Sequence, residues 1–354
     1  MKRQMPERSY SCWLKNFIDF KKLNWFRSAI VRSNFHICPM NDLVNRLNNP
    51  PSPLQEVQAE AFSRKGLRLF VKRDDLLHPH ISGNKWRKLK YNLLEARRLG
   101  HKRLITFGGA YSNHLVAVAA AGVEFGFSTL GVVRGERVLP LNPTLKYVEM
   151  CGMELAYVSR ANFRNKTNLS ILEDLKINFN NSYILPEGGT NCLALPGCAE
   201  LVEEIQAQLG SAPDFLCTAC GTGGTLAGLV SGLQHKGTAI GVSALKGDFL
   251  KNEVASLLKN CSQPEQRNWR ILTDYHFGGY ARFTPELIRF INRFHRSHGI
   301  PLDPVYTGKL FYGIFDLAEN GFFKEGDTVV LVHTGGLQGI TGFVERFPNA
   351  GLLI

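Results

Sequence analysis

The chain has 354 residues, 44% of them hydrophobic and 20% charged, the make-up of a globular protein with one large or two ordinary domains rather than of a disordered chain. Its net charge of +12 is concentrated near one end, because residues 1–39 carry eight Lys or Arg against Glu7 and Asp19. The remainder has neither zinc-finger spacing nor an aromatic RNA-reading motif, which argues against a nucleic-acid partner, and no run approaches the roughly 20 apolar residues of a membrane span.

Residues 1–45 are expected to form a poorly ordered N-terminal extension. Its basic and aromatic texture ("WLKNFIDFKKLNWF") fits a basic amphipathic surface helix, a targeting segment, or upstream sequence ahead of a start at Met40. From residue 50, short β-branched runs alternate with longer helical patterns. Strands are predicted at 67–74, 103–109, 128–135, 154–159, 214–220, 239–245 and 327–336. Helices are predicted at 84–99, 112–125, 142–151, 196–209, 224–235, 248–259, 284–298 and 308–319. Such alternation points to an α/β fold with parallel sheets covered on both faces, where ligands sit at the carboxyl ends of the strands.

Four turns rich in Gly, Ser, Thr or Asn fall near those strand ends: "HISGNK" (80–85), "FGGAYSNH" (107–114), "CGTGGT" (220–225) and "HTGG" (333–336). In the third, Gly221, Thr222, Gly223, Gly224 and Thr225 lead from a strand into a helix. Glycines let backbone N–H groups turn inward, threonines add hydroxyl donors, and a helix start favours an anion, so the turn reads as a phosphate cradle. It lacks the Gly-Lys-Ser/Thr of a Walker loop and the third glycine of a dinucleotide fingerprint. In the second turn Ser112, Asn113 and His114 open an apolar helix. One of them suffices as a cap, and three in succession point to ligand contacts, with His114 itself better read as a helix-start histidine than as a catalyst.

Lys85, at a helix mouth behind Ser82-Gly83-Asn84, can be a surface charge, an anion clamp or a nucleophile. Beside a phosphate cradle and a polar helix mouth, and without a metal motif, the economical explanation is pyridoxal phosphate held by Lys85 as a Schiff base. Arg87, Lys88 and Lys90 are expected to be surface or interdomain charges. The eight cysteines form no dense disulfide framework, and "CTAC" (217–220) reads as small side chains in a buried strand rather than a zinc or redox pair; both features fit a reducing cytoplasm.

"SGNKWRKL", "GGAYSNH", "GTGGTLAG" and "DPVYTGK", in that order, resemble the tryptophan synthase β-like (fold type II) pyridoxal-phosphate enzymes. More narrowly they resemble the aminocyclopropane carboxylate deaminase / D-cysteine desulfhydrase group. The likeness runs from about residue 51 to 336. It implies two three-layer α/β/α domains with the cofactor in the cleft between them: a large one from 46–87 and 199–354, a small one at 88–198, and a homodimer. It implies that Lys85 is the Schiff-base lysine, that Asn113 bonds the cofactor's phenolic oxygen, and that Gly221 to Thr225 hold its phosphate. Ser112 matches a serine at the substrate carboxylate or reacting carbons. Tyr280 in "FGGYARF" and Tyr306 match active-site tyrosines, the second against the cofactor ring.

Thr307 discriminates within the group. Deaminases that open the cyclopropane ring carry glutamate after the tyrosine, whereas D-cysteine desulfhydrases resemble this chain in carrying threonine. A neutral hydroxyl leaves the pyridine largely unprotonated and a weaker electron sink, which suits β-elimination of sulfide, with pyruvate and ammonia as further products. Tyr111, in place of a glutamine, and the lack of an arginine after "SNH" depart from the group at the substrate pocket. Aminocyclopropane carboxylate deamination, another D-amino-acid-directed activity and, outside enzymes, a phosphate-ligand module stay open at this point.

Overall fold

The computed structural model describes residues 38–179 and 181–353, so the expectations for residues 1–37 lie outside the described residues. Strands among these residues are β1 (Leu54–Glu56), β2 (Arg68–Lys72), β3 (Arg103–Gly109), β4 (Ser128–Arg134), β5 (Glu154–Val158), β6 (Ser182–Leu185), β7 (Phe215–Cys220), β8 (Thr238–Ser243), β9 (Trp269–Leu272) and β10 (Thr328–Val332). Their contacts divide the chain into two units. One comprises residues 38–43 and Glu95–Glu187, the other Val44–Leu94 and everything from Gly188 onward.

The second unit is built on a six-stranded sheet of order β1-β2-β10-β7-β8-β9. Only β1 runs antiparallel to its neighbour. Alternate residues of each strand supply two cores. Leu69, Val71, Cys217, Ala219, Val329 and Leu331 pack with the helices Pro285–His298 and Thr307–Glu319. Phe70, Leu216, Cys220, Val330 and Val332 pack with Ala194–Leu209, Gly224–Leu233 and Phe249–Asn260. A parallel sheet covered on both faces needs strands that are apolar throughout, which is how "TVVLV" and "FLCTAC" read. Cys217 and Cys220 therefore lie on opposite faces of β7 and cannot act as a pair; burial pushes the Cys220 thiol up to about 12.

The first unit holds a parallel four-stranded sheet of order β5-β4-β3-β6. Ile105, Phe107, Leu130, Val132 and Ala156 pack with Phe163 and Leu175 to form its core. The helix Asn113–Phe125, which holds most of the apolar stretch at 114–127, is almost wholly buried. No helix among the described residues is long and apolar enough to cross a membrane.

The predicted strands and helices all occur, with ends shifted by a few residues in either direction. β1, β6 and β9 escaped prediction because three or four residues are too few to show a period. So did the short helices Met40–Leu47, Glu60–Ser63, Arg160–Arg164 and Gly339–Arg346, together with Leu169–Asn178. One cysteine pair was also unforeseen: Cys192 and Cys261 form a disulfide across 69 residues.

Candidate active site

In the second unit β2, β10 and β7 are neighbours, so the turns that follow them meet at one edge of the sheet. The turn Ser82-Gly83 lies directly against the "HTGG" turn. Gly83 takes φ +60, and a Cβ there would lie 2.0 Å from the carbonyl oxygen of Thr334. The amide of Asn84 donates to that same oxygen at 3.3 Å. Only glycine allows this approach, and it fixes where the helix Asn84–Arg98 begins.

Lys85 sits on the first turn of that helix. Its Nζ donates to Asn84 Oδ1 at 2.9 Å, while Asn84 Nδ2 donates to Thr225 Oγ1 at 2.8 Å. Two hydrogen bonds thus connect the lysine with the glycine-rich turn, more than a hundred residues downstream in the chain. Burial, followed by the positive charge of Lys88, lowers the Lys85 pKa to about 7. The residue as a whole is half-buried.

The glycine-rich turn has the build of an anion cradle. Gly223 lies at φ +76 and the helix Gly224–Leu233 starts there without a side-chain cap, so its first N–H groups are not committed to a capping oxygen. Lys88 reaches the same turn. Its Nζ donates to Gly188 O and Thr190 Oγ1, both at 2.9 Å, and to Thr222 Oγ1 at 3.4 Å. A Cβ on Gly224 would meet Thr190 Oγ1 at 2.7 Å and Lys88 Cε at 3.0 Å, so the glycine clears space between these donors. Hydroxyls, backbone N–H groups and an ammonium together suit a phosphate monoester.

Arg87 and Lys88, expected as surface or interdomain charges, are buried and so not on the surface. Lys88 follows Lys85 by three residues and so shares its helix face, a spacing the sequence displays. Burial lowers its pKa to about 8. Arg87 instead pairs with Asp74 and Glu204, and Glu204 also holds Lys72 at 2.8 Å. Lys90 bonds Glu200. Gly188 and Thr190 were missed as well, although "EGGTN" is a turn of the same kind; the brevity of β6 concealed it.

Tyr306 is the residue at the start of the helix Thr307–Glu319. Its Cε1 would lie 3.1 Å from a Cβ on Gly221, which puts its ring against the glycine-rich turn. Tyr280 meets Tyr306 edge to face with ring centres 6.1 Å apart. Thr307 is fully buried: its Oγ1 donates to Asp303 Oδ2 at 2.7 Å and accepts from the Asp303 amide at 2.8 Å. The Asp303 carboxylate also accepts from the amides of Val305, Tyr306 and Thr307, so it shapes the turn that presents the tyrosine.

In the first unit Ser112 caps the helix Asn113–Phe125, its Oγ accepting from the amides of His114 and Leu115 at 3.2 and 3.3 Å. Asn113 follows it at the helix start, partly exposed. His114 is buried with Nε2 2.8 Å from Thr106 Oγ1, as a helix-start histidine would be.

Comparison with known proteins bears on these turns. A provisionally named 1-aminocyclopropane-1-carboxylate deaminase of Pyrococcus horikoshii is 37% identical over 296 residues, covering 79% of this chain and 88% of that one. A mitochondrial Arabidopsis thaliana protein named as bifunctional D-cysteine desulfhydrase/1-aminocyclopropane-1-carboxylate deaminase is 30% identical over 337 residues, covering 89% and 83%. The crystal structure of an ACC deaminase homologue superposes with a TM-score of 0.75 at 29% identity, covering 88% of this chain and 98% of that one. Residues 46–335 match the family described as pyridoxal-phosphate dependent enzyme, and the chain belongs to that family, with the deaminase and desulfhydrase as relatives within it.

Proposed function

We propose that the chain catalyses β-elimination on a small D-amino acid, with D-cysteine as the type substrate and sulfide, pyruvate and ammonia as products. Threonine at position 307 carries this reading, because a neutral group there in place of a carboxylate leaves the pyridine nitrogen unprotonated and favours loss of a good leaving group over carbon–carbon cleavage. Pyridoxal phosphate, when bound, supplies the electron sink for the pair left on the substrate Cα. The donors around Gly221–Thr225, with the Lys88 ammonium, fit its phosphate.

The chain's own residues then divide the work. Lys85 would carry the cofactor and, as a free amine, take the Cα proton, which leaves with the departing sulfide; an amine of pKa about 7 suits that task near neutrality. Asn84 orients Lys85, and Asp303 shapes the turn that holds Tyr306 and Thr307. Asn113 serves the cofactor's phenolic oxygen and Ser112 the substrate carboxylate. Tyr280 and Tyr306 line the active site, the second against the cofactor ring. Homodimeric assembly belongs to this reading, supported by apolar Val138 and Leu139, which are 71% and 69% exposed. So does a cytoplasmic setting, supported by the reduced thiols of Cys151, Cys198, Cys217 and Cys220, with the Cys192–Cys261 disulfide as the exception.

The test is product analysis of the purified holoenzyme on D-cysteine, L-cysteine and 1-aminocyclopropane-1-carboxylate. Sulfide and pyruvate from the D-enantiomer are expected, with turnover lower by at least about 100-fold in Lys85→Ala. Borohydride should fix the cofactor on Lys85. α-Ketobutyrate as the main product would favour ring-opening deamination instead, the second reading that the names of the relatives support. Undiminished turnover in Lys85→Ala would refute the assignment.

A further inference from the structure

We infer that Lys309 is a positioning residue: its ammonium fastens the turn that carries Tyr280 to the helix that starts at Tyr306, and so fixes the two tyrosines relative to one another. The inference rests on the reading of Tyr280 and Tyr306 given above. Lys309 lies on the first turn of the helix Thr307–Glu319 and is fully buried. It forms no ion pair among the described residues, and Asp303 acts on it only at longer range. Its three hydrogen bonds all go to backbone carbonyls: Gly279 O at 2.7 Å, His276 O at 2.8 Å and Ala244 O at 3.4 Å. A lysine is an uncommon choice for the interior, since burial itself lowers its pKa to about 8, and a methionine would fill the same space without that cost. What the ammonium adds is the ability to gather several carbonyl oxygens at one point.

Those carbonyls need gathering. Phe277, Gly278, Gly279 and Ala281 have φ of +52, +92, +117 and +54, a nearly continuous run of left-handed backbone around Tyr280. Two of these residues have a Cβ that disfavours such angles, and a conformation of this kind persists only where its surroundings over-determine it. The helix Thr307–Glu319 supplies the surroundings at three points of one face. Lys309 binds His276 and Gly279. Gly313 leaves room for the Tyr275 ring, to which a Cβ would come within 2.9 Å. Asp316 accepts from the Tyr275 hydroxyl at 2.6 Å. The spacing i, i+4, i+7 puts all three on one side of the helix. Tyr306 stands at the start of the same rigid element, so the edge-to-face contact of Tyr280 with Tyr306 inherits its geometry from the Lys309 clamp.

A double-mutant cycle on the holoenzyme tests this. Lys309→Met should lower kcat about 100-fold, the scale of a displaced catalytic group, with KM changed by less than about threefold. The cofactor absorbance should be retained, because the hydrogen bonds of Lys309 go to residues 244, 276 and 279 and not to Lys85 or the glycine-rich turn. Hydrogen exchange of the amides at 276–281 should quicken. In a Tyr280→Phe background the same change should cost less than about threefold, since its effect passes through that tyrosine. Gly279→Ala, strained at φ +117, should reproduce the kinetics with Lys309 intact, and it replaces Lys309→Met in the cycle if the latter fails to fold. Wild-type exchange in Lys309→Met, or additive losses with Tyr280→Phe, would overturn the inference. Exchange is read without substrate, so the clamp can be judged even if every amino acid of the panel proves inert and the proposed function falls.

Discussion

Lys85 and Lys88 face the same turn with different tasks, and their mutual repulsion has a measurable effect. Burial is the larger cause of the lowered Lys85 pKa and the Lys88 charge the next, so both favour the neutral amine near physiological pH. Only the neutral amine attacks an aldehyde. Uptake of pyridoxal phosphate by apoprotein should therefore accelerate as pH rises through about 7, far below the 10.5 of an ordinary lysine. Lys88→Met removes a charge that depresses the Lys85 pKa, so the inflection should move to higher pH, apart from any loss of phosphate affinity. Stopped-flow absorbance against pH checks both. Lys85 was legible in the sequence because Gly83 and Asn84 announce a turn before a helix. Lys88 was legible in principle, three positions along the same face, but a cluster of basic residues reads by default as solvated, and nothing local to 86–90 reveals that Thr190 and Thr222 arrive from a hundred residues away. Asp303 and Lys309 were hidden for the same reason: what they do depends on which backbone groups the fold brings to them.

Among the elements, the helices Ala194–Leu209 and Gly224–Leu233 depend on glycine for their approach. A Cβ on Gly228 would sit 2.3 Å from Cys198 Cβ and 3.0 Å from Leu195 O. Alanine is worth about 1 kcal/mol over glycine in a helix, but overpacking against atoms this close to the backbone costs about 1–3 kcal/mol. Gly228→Ala is expected to lose about 1 kcal/mol net, read as a lower urea midpoint with an unchanged slope. The sequence pattern placed both helices well, Ala194–Leu209 through its sixteen-residue length and Gly224–Leu233 through the glycine-rich turn that opens it. It did not place β1, β6 or β9, and the loss of β6 also cost the turn at 187–191, whose function depends on following a strand. "GTGGT" could be read from its short-range pattern, whereas "DPVYTGK" drew attention only through its resemblance to the pyridoxal-phosphate enzymes.

For the molecule as a whole, Lys72, Asp74, Arg87 and Glu204 form a buried charge cluster that joins residues more than a hundred positions apart within one unit. Ser52 and Gln208 extend it, with Lys72 Nζ donating to Ser52 O at 2.7 Å and to Gln208 Oε1 at 2.9 Å. Glu204→Gln leaves two cations facing Asp74 alone and should cost about 3 kcal/mol, within the range for breaking a buried pair. Although burial opposes it, the Glu204 pKa lies below its usual 4.5, held there by Arg87 and Lys72. A depressed carboxylate stabilises the fold above the unfolded value and loses that stabilisation as pH falls through the folded one. The variant should accordingly show a shallower fall in melting temperature below about pH 4.5 than the wild type.

The position of β10 in its sheet bears on how the protein is made. It is the last strand among the described residues, yet it lies between β2 and β7, and the turn after it supplies the carbonyl that receives the Asn84 amide. A ribosome that has released residues 44–300 has exported Lys85, the glycine-rich turn and Tyr280, but not the strand that closes the sheet between them. Chains cut short before Thr328 should thus remain vitamin-free and vulnerable to proteases, because the sheet closes only once β10 has slotted in between its earlier-made neighbours.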